Sequence, residues 1–509
     1  MNHWLIVPVV LPAVVAPFIV TAARHDIVLQ RVFSISATVL LAVVAIGLYA
    51  LAADGVTRPY ALGNWPAPFG IILVLDRLSA LMLVLTAVLA VVVAIYAANG
   101  WDQRGRHFHA LLQFQLMGLN GAFLTGDVFN LFVFFEVLLI ASYGLMLHGA
   151  GPRRITEGLK YVAINLAGST LFLFAVGLLY AVTGTLNMAD LALKVPLVPE
   201  GDQGLLRLGA ALLLIVFAIK AALVPLHLWL PGTYGAASPP VAALFAIMTK
   251  VGVYAMLRIY VLIFGDGAGA AAWIADPFVL PAAAVTLAVG MIGVLASRTL
   301  TALAAYALIG SVGTLLLAVG IFTETAASAA LYYMTHSTLA GAALFLLADL
   351  VAHRRGGAGD RLVAAPPFGQ IDLLAGLFFL AAIATIGLPP LSGFIGKLLV
   401  LETVTVHPAW PWLWAVLLVG SLLAMIGFAR AGSVVFWKCE AERDKAHPAS
   451  RSGDVAALCV TSALVAAPVV LAVFAGPAMT AMDATARQLF KPALYIEAVL
   501  GSRIQLAWR

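Results

Sequence analysis

The stretch Ile215-Val-Phe-Ala-Ile-Lys220-Ala-Ala-Leu-Val-Pro225-Leu-His227-Leu-Trp-Leu-Pro231-Gly232 decides how this chain folds. It is an apolar run with a lysine at its centre and a proline soon after. Pro225 removes a backbone donor and frees a carbonyl. A discontinuity of this kind survives at membrane depth only where protein covers it or where it lines a wet cavity. A second stretch repeats the device: Leu388-Pro389-Pro390-Leu391-Ser392-Gly393, with Lys397 just beyond it.

The composition around these stretches agrees with a membrane setting. The chain has 509 residues, of which 63% are hydrophobic and only 10% charged, where a soluble domain carries about 25% charge. Too little polar surface remains to face water. A formal charge of +5 without a basic run in the loops excludes nucleic-acid binding as a main theme. Two cysteines, Cys439 and Cys459, exclude a disulfide framework and a cysteine-ligated cluster. Residues 1–22 hold no Lys or Arg before the apolar run, so Trp4 to Ala22 reads as a first span and not as a cleaved signal.

A span needs roughly 20 mostly apolar residues. The chain is thereby expected to be an all-α polytopic membrane protein with about fourteen spans. They lie near 4–22, 32–53, 72–98, 108–125, 127–148, 158–183, 205–225, 238–263, 278–296, 299–321, 326–352, 371–402, 411–437 and 455–478. The tail from Ala481 to Arg509 is mixed and reads as an interfacial helix. Loops after odd-numbered spans carry 14 Lys and Arg; loops after even-numbered spans carry three, Arg58, Lys194 and Arg207. Short basic loops stay in the cytoplasm, so both termini are expected outside, which an even span number requires.

The two broken spans are the seventh and the twelfth, five apart. That interval predicts two five-span units, residues 108–263 and 278–437. Residues 1–107 precede them with three spans, and residues 438–509 follow with the last span and the tail. An odd number of spans per unit makes the two units inverted, and matched broken spans of this kind mark transporters built from repeats.

Ionisable residues inside the spans are few. Glu136, Lys220, Lys250 and Lys397 lie deepest, where each costs roughly 2.5–3.5 kcal/mol on the insertion scale. Burial disfavours the charged form, so a buried lysine can exchange its proton near neutral pH, and a nearby carboxylate reverses the bias. Glu136 and Lys220 form the candidate pair for loading and unloading a proton. Lys250 and Lys397 continue the path, with Lys397 at a gate towards one face. Static ion pairs that only fix helix packing are the alternative. Three deep lysines against one deep glutamate cannot all pair off. Arg258, Lys160, Asp349 and Glu402 lie nearer span ends and are expected to snorkel.

His227 and His336 are candidate relays, since histidine titrates near neutral pH; a structural hydrogen-bonding role stays open for each. Lys220 and His227 are seven residues apart and share a helix face if Pro225 bends the helix only mildly. Tyr332 stands one turn before His336. No P-loop, no CxxCH and no haem-like histidine pairing occurs, so no ATP-driven step, metal or cofactor is expected in this chain.

The motifs Gly126-Asp-Val-Phe-Asn-Leu-Phe-Val-Phe-Phe-Glu136, Lys220 with Pro225-Leu-His-Leu-Trp-Leu-Pro231, Thr249-Lys250-Val-Gly-Val-Tyr254, and Leu388-Pro-Pro-Leu-Ser-Gly393 with Lys397 resemble the antiporter-like membrane subunits. These are shared by respiratory complex I, membrane-bound hydrogenases and the Mrp (Pha, Mnh) cation/proton antiporters. Gly63-Asn-Trp-Pro-Ala-Pro-Phe-Gly70 and Leu73-Val-Leu-Asp-Arg-Leu-Ser-Ala80 look most like the D-type subunits of the Mrp complexes. The resemblance implies fourteen helices with two inverted five-helix repeats. It implies Glu136 and Lys220 as the pair, Lys250 as the central relay and Lys397 as the terminal lysine. It also implies partners, the Mrp subunits A, B, C, E, F and G, transported H+ with Na+ or K+, and a bacterial inner (plasma) membrane. Leu300-Thr-Ala-Leu-Ala-Ala-Tyr306-Ala-Leu-Ile-Gly-Ser311 departs from the family, lacking the basic residue and the serine–histidine that many relatives carry there, which weakens the case for a polar contribution from the tenth span. The leading expectation is a secondary transporter subunit; the alternative is a proton-pumping subunit of a complex I-like or hydrogenase enzyme.

Overall fold

The computed structural model describes residues 3–438 and 454–501. Cys439 and the basic residues Arg443, Lys445 and Arg451 lie outside the described residues. Helices α1 (Val7–Thr21) and α2 (Ile27–Ala52) open the chain, α2 starting at Asp26, whose carboxylate accepts from the amides of Val28 and Leu29. A hairpin of β1 (Arg58–Ala61) and β2 (Ile72–Leu75) follows, antiparallel, with Arg58 opposite Leu75 and Ala61 opposite Ile72. The third span begins at Arg77 and not at the expected residue 72, because Asp76 caps α3 (Arg77–Ala97) in a capping box with Ser79. The apolar residues before it form β2, which is buried throughout. Hydropathy alone does not separate a buried strand from a helix end.

Next come α4 (Phe108–Leu124), α5 (Val128–Met146) and α6 (Pro152–Thr183), then a short α7 (Met188–Lys194) in the loop. The fourth and fifth spans are separate helices. Asp127 divides them, its carboxylate accepting from the Asn130 amide at the start of α5. The seventh span is broken as expected: α8 (Gln203–Ala221) ends with Ala222 in the left-handed region, and α9 (Trp229–Ala236) resumes after a turn. The eighth span, expected over 238–263, tightens at Ala246 and Ile247 between α10 (Pro239–Phe245) and α11 (Met248–Leu262), where both residues keep right-handed helical angles and their amides bond the carbonyls three residues back. Its sequence carries no proline or glycine at that point, so nothing local announces the tightened turn.

The second half runs α12 (Asp276–Ala296), α13 (Leu300–Val319), α14 (Glu324–Arg354), α15 (Ile371–Ile386), α16 (Ser392–Thr403) and α17 (Trp410–Gly432). The Pro389–Pro390 break separates α15 from α16. The last span is α18 (Asp454–Val473), shorter than expected. Residues beyond it form α19 (Ala475–Leu489) and α20 (Pro492–Leu500). This tail does more than lie at an interface: α19 packs on α14 and α3, and α20 packs on α7 and β1.

Among the described residues, eleven helices are long and apolar enough to cross a membrane, and α1 and α15 are shorter apolar ones. The α10–α11 pair, α13 and α14 are buried on nearly all sides, whereas α2, α17 and α18 turn about two thirds of their surface outward. The polar side chains described next therefore sit on the innermost helices or face them.

Candidate functional site: a buried polar line across the bundle

Glu136 and Lys220 do not form a direct ion pair. Among the described residues each is held by a different side chain of α6. Ser169 donates a hydrogen bond to the Glu136 carboxylate, and Asn165 Oδ1 accepts one from Lys220 Nζ at 3.0 Å. Residues 165 and 169 are one helical turn apart, so α6 presents both on one face. The acid and the base of the expected pair are thus bridged by an amide and a hydroxyl. Lys220 is buried, its Nζ 5.8 Å from the Phe135 ring centre, while Glu136 is half-buried. Sequence reasoning misses both Asn165 and Ser169. Uncharged polar residues are common in long helices, and the signal that could have found them is their i, i+4 spacing opposite the two charges.

Lys250 lies at the centre, fully buried, and its Nζ has no hydrogen-bond partner among the described residues. Such an orphan in a native interior calls for an explanation: an internal water or a changing proton inventory. Its helix reaches the break in the seventh span through Gly252. A Cβ there would stand 2.7 Å from the Phe217 carbonyl and the Ala221 nitrogen, so only glycine admits this approach. Close packing at Gly252 brings the helix of Lys250 against the turn of α8 that carries Lys220.

Lys397 occupies the other half. Its Nζ donates to the Ile386 carbonyl at 2.7 Å and to Ser421 Oγ of α17 at 2.9 Å. Ile386 ends α15, so the lysine satisfies a carbonyl that the break leaves free. His336 of α14 sits beside it. Its Nδ1 pairs with Ser392 Oγ at 2.8 Å, and the ring also bonds the Ala384 carbonyl. A Cβ at Gly393 would overlap that carbonyl and approach His336 Nε2 to 2.9 Å, so the start of α16 closes on the histidine only with glycine there. His336 lies close enough to Lys397 and to Lys250 to feel both charges.

Several sequence expectations change here. The ring nearest His336 is Tyr333, with centroids 5.8 Å apart; Tyr332 donates instead to the Leu471 carbonyl of α18. The tenth span does contribute a polar group, because Ser311 of α13 lines a small cavity with His336, Tyr333 and Thr385. His227 does not share a helix face with Lys220, since α8 stops at Ala221 before it. Among the described residues it makes no side-chain hydrogen bond to another titratable group, and its Nδ1 is buried without a partner. Two residues expected to snorkel are instead buried and paired. Arg258 binds Asp76 through both terminal nitrogens, and Asp349 accepts from Tyr96 Oη at 2.7 Å and Trp101 Nε1 at 2.9 Å. Lys160 is largely exposed and bonds Glu157 at 2.9 Å, and Glu402 is exposed, as expected of snorkelling residues.

A chain of this kind can hold and pass protons: one carboxyl, three amines and an imidazole at the interior of a helical bundle, joined by hydroxyl and amide side chains. No three His, Cys, Asp or Glu side chains converge as a metal site among the described residues.

The family described as "NADH:quinone oxidoreductase/Mrp antiporter, TM" matches residues 125–426. The D-type subunit of a probable K(+)/H(+) antiporter of Rhizobium meliloti is 42% identical, covering 99% of this chain and 98% of the relative. The D-type subunit of an Na(+)/H(+) antiporter of Alkalihalophilus pseudofirmus is 36% identical, covering 98% of this chain and 100% of the relative. A solved structure, the Mrp complex from Dietzia sp. DQ12-45-1b, contains a chain that superposes with a TM-score of 0.87 at 28% identity, covering 98% of this chain and 100% of that one. With Glu136, Lys220, Lys250, His336, Lys397 and both broken spans inside the matched segment, the chain belongs to the NADH:quinone oxidoreductase/Mrp antiporter family of membrane subunits.

Proposed function

We propose that this chain is the D-type, proton-translocating subunit of a multisubunit Mrp antiporter, exchanging H+ for Na+ or K+ across a bacterial membrane. The observation that carries the reading is Lys250: a fully buried amine without a hydrogen-bond partner among the described residues, in the same bundle as the Glu136–Ser169 and Asn165–Lys220 bonds and the bonds of His336 and Lys397. A proton loaded at Lys220 when Glu136 moves off passes to Lys250 and on through His336 to Lys397. Lys397 is the gate at the second break, where the freed Ile386 carbonyl provides a polar exit. The chain acts as a secondary transporter subunit and works with the A, B, C, E, F and G subunits. Names of full-length relatives favour this over a subunit of a redox-driven pump, which the family also contains.

The 14-to-3 distribution of basic residues supports cytoplasmic odd loops and external termini. Residues 108–263 and 278–437 form the two inverted units in this reading: α4 packs on α5 as α12 packs on α13, and each unit has its fourth span broken. No carboxylate cage stands near these residues among the described residues, which supports a cation path shared with partner subunits or lying elsewhere in the complex.

The test is exchange in everted membrane vesicles of a host without its own antiporters, expressing the complete complex. Addition of Na+ or K+ should collapse an imposed pH gradient, and the better ion identifies the cargo. The chain purified alone in liposomes should show no robust exchange; robust exchange there overturns the dependence on partners.

A further inference from the structure

Lys250, Tyr254 and Arg258 stand four residues apart on α11 and share one face. All three are buried, and the row runs from the Lys250 amine to Arg258, which meets Asp76 directly after β2 at the hairpin end of the bundle. Tyr254 Oη donates to the Phe123 carbonyl at 2.7 Å and accepts from Arg258 Nε at 3.3 Å. Arg258 then meets Asp76 in a forked contact, Nη1 to Oδ2 at 2.5 Å and Nη2 to Oδ1 at 2.8 Å. The same carboxylate caps α3 through the Ser79 amide at 2.9 Å. Tyr495 of α20 covers the guanidinium, its ring centre 5.4 Å from Cζ.

We infer that the Arg258–Asp76 pair, with Tyr254 beneath and Tyr495 above it, is a seal that bars direct passage of a proton from Lys250 to the hairpin face. The inference rests on the reading of Lys250 as a proton carrier. A guanidinium holds its five donors permanently and cannot release a proton in a protein, so it cannot act as a step in a relay. The Tyr254 hydroxyl commits its one proton to a carbonyl and faces Arg258 on the outward side, so a proton reaching it meets a cation that cannot pass it on. With this direction closed, the proton of Lys250 is steered laterally, towards His336 and Lys397, which is what coupling over distance requires. A pair that served packing alone would not need to stand in register with Lys250 on the same helix face.

The experiment measures passive proton leak in vesicles carrying the complete complex, in choline buffer without Na+ or K+, after an imposed pH jump. Arg258→Met removes the fixed cation and leaves a carboxyl that can take up a proton. A unit charge roughly 12 Å along the helix, at an effective permittivity near 20, changes proton passage by about tenfold, and a leak increase of that order is expected. Arg258→Lys and Asp76→Asn both keep a cation in place and should leak as little as the parent. If Arg258→Met does not assemble, Asp76→Asn/Arg258→Met, which leaves no unpaired buried charge, takes its place with an increased leak expected. A parental leak in the assembled Met variants overturns the seal. So does an equal leak in Arg258→Met and Arg258→Lys, which would mark general loosening. Because the leak is read without the exchanged cation, a parent complex that fails to exchange counts against the proposed function and not against the seal.

Discussion

The two lysines beside the helix breaks are stabilised by different means. Lys220 precedes its break and is held by a side chain, Asn165, next to a carboxylate that Ser169 fixes one turn along the same helix. Lys397 follows its break and is held by the break itself, through the Ile386 carbonyl, with Ser421 as second acceptor. No carboxylate contacts Lys397 among the described residues. One half sets a carboxylate near its lysine, the other sets fixed backbone dipoles against it. In the proposed function the first is the loading site and the second the release site.

The largest effect expected from breaking this contrast is at the acid side. Glu136→Ala and Lys220→Ala should each lower cation/proton exchange by about a hundredfold or more, the scale of losing a positioned proton-transfer group. Equal protein in the membrane and near-parental exchange in vesicles would remove both from the path. Glu136→Asp keeps the charge and changes only reach, so it should retain part of the rate.

Next comes the dipole side. Lys397→Ala leaves the Ile386 carbonyl and Ser421 without their donor and should reduce exchange by about tenfold, matching the loss of a charged hydrogen bond. Lys397→Glu should retain more than Lys397→Ala, because a protonated carboxyl also donates to that carbonyl and carries a proton. A glutamate variant below the alanine variant, measured at matched expression across pH, would reduce Lys397 to a fixed cap.

A smaller effect sharpens the bridge. Asn165→Leu removes the acceptor of Lys220 but neither charge, and a several-fold loss of rate is expected, on the scale of one such hydrogen bond. Ser169→Ala should act similarly through Glu136. If both variants exchange at parental rate, Glu136 and Lys220 communicate without α6.

The smallest effect on exchange is expected where ionic bonds lie off the line. In the loop between α3 and α4, Asp102 binds Arg31 at 2.6 and 2.9 Å and His109 at 3.1 Å. Burial pushes this carboxyl up, but the Arg31 and His109 bonds outweigh it and hold it below the usual carboxylate range. A depressed acid stabilises the folded chain above the ordinary carboxylate pKa, and that contribution is lost only as pH falls through the folded value. Across neutral pH the pair stays intact. Asp102→Asn should therefore leave the pH profile of exchange unchanged and lower thermal stability, by about 3 kcal/mol if the pair behaves as buried. A shifted exchange profile would bring this loop into the proton path.

Much of this is open to reading along the chain. Span hydropathy is a sum over neighbouring residues, and a buried charge or a Pro-Pro step stands out against it wherever the helix ends up. Glu136, Lys220, Lys250, Lys397 and both breaks are legible for that reason. The partners are not. Arg258 and Asp76 are 182 residues apart, Lys220 and Asn165 are 55 apart, and Tyr96 meets Asp349 across 253. Which polar groups meet depends on how each helix is rotated about its axis and on where small residues such as Gly252 and Gly393 let backbones approach. Neither is a local property. The tightened turn at Ala246–Ile247 and the buried β2 strand belong to the same class: an apolar run satisfies the membrane in either conformation, and only the surrounding packing selects one.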